Sequence, residues 1–186
     1  MPELYNVFPK PILIERSILL DKLECYDQRV NFLKETNRGS PRNDIVSNMS
    51  FQSEPFLQED ETFSELVSEI YKNSNFMLES FGYGFLRNNI KITNMWAVYY
   101  NTGEFVYPHV HPGSFLSGVY YIKGAGNITF MDKLDSMTRN DTESEIYTPV
   151  KHFSCDTGTM LIWKSDILHA TQPATDLKVA ISFNLS

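Results

Sequence analysis

Cysteine is nearly missing from this chain. Cys25 and Cys155 are the only two, far apart and in no metal-ligand spacing. With no leading hydrophobic segment they read as free thiols of a reducing, cytoplasmic compartment. Long apolar runs are missing too; the longest fall well short of a bilayer span, so no membrane segment is expected. Clustered positive charge is the third absence. Lys and Arg number 16 against 23 Asp and Glu, for a formal net charge of -7. No basic stripe stands ready to neutralise phosphates, which argues against a nucleic-acid partner. Histidine is sparse as well, with four in the chain.

Apolar residues are plentiful. They make up 42% of the sequence, with 13 Phe and 10 Tyr, enough for a core and for one domain spanning 1–186. Residues 4–15 read as an extended lead-in ending in a short "ILI" strand, with Pro9 and Pro11 opposing helix. Helical spacing runs from Ser17 to about Phe32 through Ile18, Leu19, Leu23, Tyr26 and Val30. A second helix follows Thr62, which with Glu65 has the form of a capping box, and closes at Gly82 or Gly84. Residues 44–60 lack a period and read as a loop within the 36–60 region. The first ninety residues are thus expected to be mainly helical.

After that the pattern changes. "KITNMWAVYY" (91–100), "LSGVYYIK" (116–123), "NITFMD" (127–132), "TMLIWK" (159–164) and "KVAISFNL" (178–185) are strand-like, separated by Gly, Pro, Asn and Asp turns. The spacing leaves no room for repeated crossover helices, so the sheet is expected to be antiparallel, a barrel or double sheet with the helices packed outside. Residues 133–157, rich in Asp, Ser, Thr and Asn, read as a long excursion overhanging a pocket.

His109 and His111 stand one residue apart between Pro108 and Pro112. In extended backbone, period two sends both side chains to one side. Imidazole is a favoured ligand for zinc and iron, and this gap lets two rings reach one ion. The same pair also suits a loop in which hydrogen bonds cap both rings. His169 follows "TMLIWK", where a closed sheet can return it beside an earlier strand; three histidines would then form a facial set with open positions opposite. His152 falls in the polar excursion and reads as surface or lid. Along the final strand Val179, Ile181 and Phe183 make one apolar face, while Lys178, Ala180, Ser182 and Asn184 share the other. A lysine there is either exposed or, beside a metal pocket, the partner of an anionic cosubstrate.

Four blocks, "SNMSFQS" (47–53), "MWAVYYNTGEFVYPHVHPGSFLSGVYYI" (95–122), "GTMLIWKSDILHATQP" (158–173) and "KVAISFN" (178–184), together resemble a family of 2-oxoglutarate- and Fe(II)-dependent oxygenases common in bacteria, marine microbes and their phages. The resemblance covers most of the chain. It implies an α+β, mainly β architecture: a cupin-like double-stranded β-helix, or jelly roll, over 91–186 with N-terminal helices on its outer sheet. It also implies Fe(II), 2-oxoglutarate as cosubstrate and O₂.

His109 and His169 match the first and last metal ligands of the family. The wider superfamily has a carboxylate where this chain has His111, and a neutral imidazole there raises the formal charge of the site. The basic residue that grips the far carboxylate of 2-oxoglutarate is generally Arg; Lys178 takes that position as a point donor. Ser182 adds a hydroxyl on the same face, and Tyr99, Tyr121 and Asn101 are further candidates from neighbouring strands. Trp96 and Trp163 read as core or pocket wall. The implied activity is oxidation, by default hydroxylation, of a small molecule or peptide, with a homodimer as a possible assembly. A three-histidine dioxygenase that dispenses with 2-oxoglutarate and a non-catalytic jelly roll are the alternatives.

Overall fold

The computed structural model describes residues 10–43, 47–132 and 150–186. Its elements run β1 (Ile12–Glu15), α1 (Leu23–Glu35), β2 (Gly39–Asn43), β3 (Ser47–Ser53), α2 (Ser64–Ser80), β4 (Ile92–Tyr100), β5 (Phe105–His109) and β6 (Leu116–Lys123). Then follow β7 (Asn127–Met131), β8 (Val150–Ser154), β9 (Met160–Lys164), β10 (Leu168–Thr171) and β11 (Lys178–Leu185). The ladders between these strands are antiparallel, as the short inter-strand spacing requires.

Strand order is β1-β9-β6-β11-β4-β3-β5-β10-β7-β8, with β2 attached to β3. β3 is the fold line. It pairs with β4 through Phe51 and Gln52 and with β5 through Ser47 and Asn48. The sheet curls so that β10 and β7 face β9: the Trp163 ring lies 4.7 Å from that of His169 and 5.0 Å from that of Phe130. This is the expected jelly-roll arrangement.

Two apolar layers hold it. Outside, Tyr26, Val30 and Leu33 of α1 and Leu66, Ile70, Met77 and Leu78 of α2 pack with Met95, Ala97, Tyr120, Val179, Ile181 and Phe183. Inside, Val98, Tyr100, Val119, Tyr121, Phe130, Trp163 and Ala180 form a second cluster. β11 therefore divides as its alternation predicts, one face to the helices and the other inward. Packing between strands is tight at Gly118, where a Cβ would meet the Phe183 ring at 2.3 Å and the Leu161 carbonyl at 2.7 Å. Only glycine fits there.

Several expectations need correction. α1 begins at Leu23, not Ser17, because Ser17 and Leu19 take left-handed backbone (φ 58 and 51) and a single 3-10 turn precedes the helix. Thr62 and Glu65 form no capping box. Instead the Asp60 carboxylate accepts from the Thr62 N–H at 3.0 Å and is held by Arg29 at 2.7 Å, while Glu65 pairs with Lys22. α2 does end as predicted: Gly82 is left-handed (φ 76), and Tyr83 N–H closes on the Leu78 carbonyl at 2.8 Å.

The segment 44–60 is not simply a loop, since β3 occupies its middle. Its burial alternates, but the buried positions include Ser47 and Ser53, so the hydrophobic pattern fails where the structural one holds. Ser53 is buried because its hydroxyl accepts the Ala97 N–H at 2.9 Å. The first ninety residues thus contribute three strands as well as the two α-helices. In the 133–157 excursion, Val150–Ser154 forms β8 against β7; residues 133–149 lie outside the described residues.

Candidate metal centre

β5 and β10 are neighbours, and their register sets His109 opposite His169. Each ring is anchored the same way. His109 Nδ1 lies 2.8 Å from the Tyr107 carbonyl and His169 Nδ1 lies 2.9 Å from the Ile167 carbonyl. A carbonyl only accepts, so each Nδ1 carries the proton and donates it, and each Nε2 keeps its lone pair. His111 follows β5, and its main-chain N–H donates to the Ser165 carbonyl at 3.0 Å. That bond brings its Nε2 to 3.3 Å from His169 Nε2. One ring nitrogen from each histidine falls within a group whose members are all within 4.8 Å of one another. Ligands held at about 2.1 Å and at right angles about one ion are themselves about 3 Å apart. The His111–His169 pair, at 3.3 Å, has that spacing.

Burial makes the rings neutral. His169 is buried, the other two half-buried. Loss of solvation pushes His111 down to about 4, with the His109 ring adding to the effect. The same cause lowers His109 and holds His169 well below the usual imidazole range. Imidazoles that resist protonation are the form a metal ion binds.

The rings stand on the wall of a cavity of about 390 Å³. Trp96, Val98 and Tyr100 of β4 line it, with Lys178, Ala180, Ser182 and Asn184 of β11. Facing them are Val106, His109, His169 and Thr171 of β5 and β10. At one end Lys178 is fully buried, and its ammonium has no hydrogen-bond partner. It sits 4.2 Å from the centroid of the Tyr100 ring. Burial lowers its pKa, and the nearby Cys155 thiol opposes that shift. An unpaired cation in such a place is costly unless a ligand neutralises it.

The family profile described as "Putative 2OG-Fe(II) oxygenase" matches residues 94–184, nearly the whole run from β4 to β11. Over that stretch the chain is similar to the 2OG-Fe(II) oxygenases. No curated protein matches the sequence. Among solved structures, a Pseudomonas putida prolyl-4-hydroxylase is similar over 94% of this chain and 91% of its own, at 10% identity and TM-score 0.68. The 2-oxoglutarate-dependent epimerase SnoN of nogalamycin biosynthesis is similar over 95% and 78%, at 9% identity and TM-score 0.71. A viral collagen prolyl hydroxylase from Paramecium Bursaria Chlorella virus-1 is similar over 94% of both chains, at 14% identity and TM-score 0.61. At these identities the likeness concerns the fold.

Within this core the other sequence candidates separate. Lys178, Ser182 and Tyr121 line the cavity with the three histidines. Trp96 and Trp163 form wall, as expected. Tyr99 does not reach it. Alternation along β4 turns Tyr99 to the outer layer, where Lys34 Nζ lies 3.7 Å from its ring centroid. Asn101 is also outside. It is exposed in the turn after β4, where its N–H donates to Glu104 at 2.8 Å and its amide to Ser50. His152 stands apart on β8, bonded to Thr129 at 2.8 Å.

Four residues were missed. Tyr100, opposite Lys178 in the β4–β11 register, shares a face of β4 with Trp96, which counting by two along the strand would have shown. Asn94 and Asn184 pair across the same two strands and line the cavity; the alternation puts Asn184 on the Lys178 face. Cys155 beside Tyr121 and Lys178 carried no local signal.

Proposed function

We propose that this protein is a 2-oxoglutarate-dependent Fe(II) oxygenase in which His109, His111 and His169 hold the iron and Lys178 receives the cosubstrate. The carrying observation is one cavity with two unsatisfied demands: imidazole nitrogens turned toward one another at one place and a buried, unpartnered ammonium at another. The donor set suits a divalent first-row ion, and the ammonium suits the far carboxylate of a diacid. When bound, iron and 2-oxoglutarate couple the decarboxylation of the diacid by dioxygen, to succinate and carbon dioxide, with insertion of the remaining oxygen atom into a substrate C–H bond.

The chain's own residues do the positioning. Backbone carbonyls of Tyr107 and Ile167 fix which nitrogen of His109 and His169 is presented. The Ser165 carbonyl sets the third ring through the main chain of His111. Lys178 is kept dry by Tyr100, Tyr121 and Ala180, so its attraction for a carboxylate is little screened. Ser182, two residues from Ala180 on the same face, offers a hydroxyl along the path between metal and ammonium. The substrate is a small molecule or a peptide side chain that enters the remaining volume.

The His-x-His spacing favours a second reading, a three-imidazole dioxygenase that acts without 2-oxoglutarate. One experiment separates them. Calorimetry under anaerobic conditions is expected to show 2-oxoglutarate binding to the Fe(II)-loaded protein about 10- to 100-fold more tightly than to Lys178→Met, and aerobic incubation is expected to release succinate. Equal binding by both proteins, or no succinate, removes the 2-oxoglutarate reading.

A further inference from the structure

At the end of the cavity away from Lys178, a buried hydrogen-bonded chain fixes the orientation of an amide. The Ser165 and Ser117 hydroxyls lie 2.7 Å apart, Ser117 donates to Asn184 Oδ1 at 2.7 Å, and Asn184 Nδ2 donates to Asn94 Oδ1 at 2.8 Å. Ser165 and Ser117 are both buried. The Ser165 hydroxyl has one hydrogen, and Ser117 is its hydrogen-bond partner. Were the chain reversed, that hydrogen would be buried without an acceptor, a penalty the observed direction avoids. Direction therefore runs from Ser165 outward to Asn94. Since the oxygen of Asn94 is used as the acceptor, its NH₂ is the group left for the cavity, which Asn94 lines.

Alternation places this amide beside the metal. Asn94 shares the inward face of β4 with Trp96, two residues along, and the Trp96 ring centroid lies 6.3 Å from that of His111. Lys178 lies at the other end of β11, about 20 Å of strand away.

Charge supplies the second argument. In a chain with more acids than bases, the cavity is lined, among the described residues, by no Asp or Glu. A divalent ion on three neutral imidazoles, offset by a dianionic cosubstrate, leaves the Lys178 charge as surplus, with the guanidinium of Arg42 on the same cavity wall. A carboxylate in place of His111 would have closed that sum. Here it stays open, so an anion is attracted to the cavity.

Resting on the oxygenase reading, we infer that the second substrate carries a carboxylate, received by the NH₂ of Asn94 and oriented through the Ser165–Ser117–Asn184 chain. Asn94 acts as a specificity determinant, while Ser117 is a positioning residue.

The full-length protein loaded with Ni(II) and 2-oxoglutarate tests this without turnover. N-acetyl amino acids, their primary amides and the corresponding amines form a matched probe series, read by thermal shift and calorimetry. At least one acid is expected to bind, with amides weaker and amines silent. Asn94→Asp, which replaces donors by a negative oxygen, is expected to weaken the best acid at least tenfold. Ser117→Ala frees the Asn184 amide to turn over and is expected to narrow the acid-to-amide preference severalfold. A general loss of fold would lower the melting temperature without changing preference. No binding by any acid, a preference for amines, or unchanged acid affinity in Asn94→Asp overturns the proposal. Failure of the cosubstrate reading appears separately, as wild-type protein that binds Ni(II) but not 2-oxoglutarate; the probe series is then read on the nickel form alone.

Discussion

The two ends of the cavity handle burial in opposite ways. Around His109, His111 and His169 the protein removes charge: poor solvation keeps the rings neutral, and carbonyls accept the spare protons. At Lys178 it keeps a charge in a dry place and supplies only the face of Tyr100. One end is uncharged as an apoprotein and the other is not. The difference teaches where affinity is stored. The imidazole end awaits a cation and gives up only the His111–His169 Nε2 contact to take it, while the lysine end gains stability when an anion arrives.

Breaking the first end should have the largest effect. His169→Ala is expected to weaken Fe(II) or Co(II) binding by at least about 100-fold, more than changes in outer-shell partners usually do, as measured by anaerobic titration with circular dichroism confirming the fold. Lys178→Met should act in two directions. Affinity for 2-oxoglutarate is expected to fall about 10- to 100-fold, the range of a charge-assisted hydrogen bond of about 1.5–3 kcal/mol. The ligand-free protein should meanwhile be more stable, by on the order of 1 kcal/mol, because a buried unpaired charge is gone. Its pH dependence sharpens the point. With the pKa of Lys178 lowered in the fold, the unfolded chain binds the proton more readily in the window between that value and 10.5. Stability contributed by Lys178 is therefore present above the window and lost as pH falls through it. Denaturation of wild type and Lys178→Met across alkaline pH should show this difference, and saturating 2-oxoglutarate should abolish it.

Smaller effects follow on the flanks. Tyr121→Phe, which removes a hydroxyl lining the cavity beside Cys155, is expected to cost about fivefold in cosubstrate affinity, one net hydrogen bond. Tyr99→Leu should leave that affinity unchanged and cost about 1 kcal/mol of stability through its lost contact with Lys34. A drop in 2-oxoglutarate binding in Tyr99→Leu would contradict the division of β4 into two faces.

That division also explains how much could be read in advance. β4, β6, β9 and β11 announce themselves by β-branched and aromatic runs, and the inward face of β11 follows from counting by two. The histidine cluster was legible as residue types, but the pairing of β5 with β10 that brings it together is a tertiary fact. Tyr99 and Asn101 were misassigned for separate reasons. Tyr99 is on the correct strand and the wrong face, which alternation from Trp96 would have corrected. Asn101 lies past the strand end, where a turn built on Glu104 takes its amide. β3 was hidden because two of its buried positions are serines, and Ser53 is satisfied by Ala97, distant in sequence. Polar residues buried through long-range bonds leave no periodic trace.

The cross-strand pairing of His109 with His169 carries a last consequence. Because two of the three ligands are fixed by the backbone ladder and not by the ion, the receptacle exists once the sheet has closed. Iron should then exchange with a folded protein, so a cell short of the metal would accumulate an idle, reloadable form and not a misfolded one.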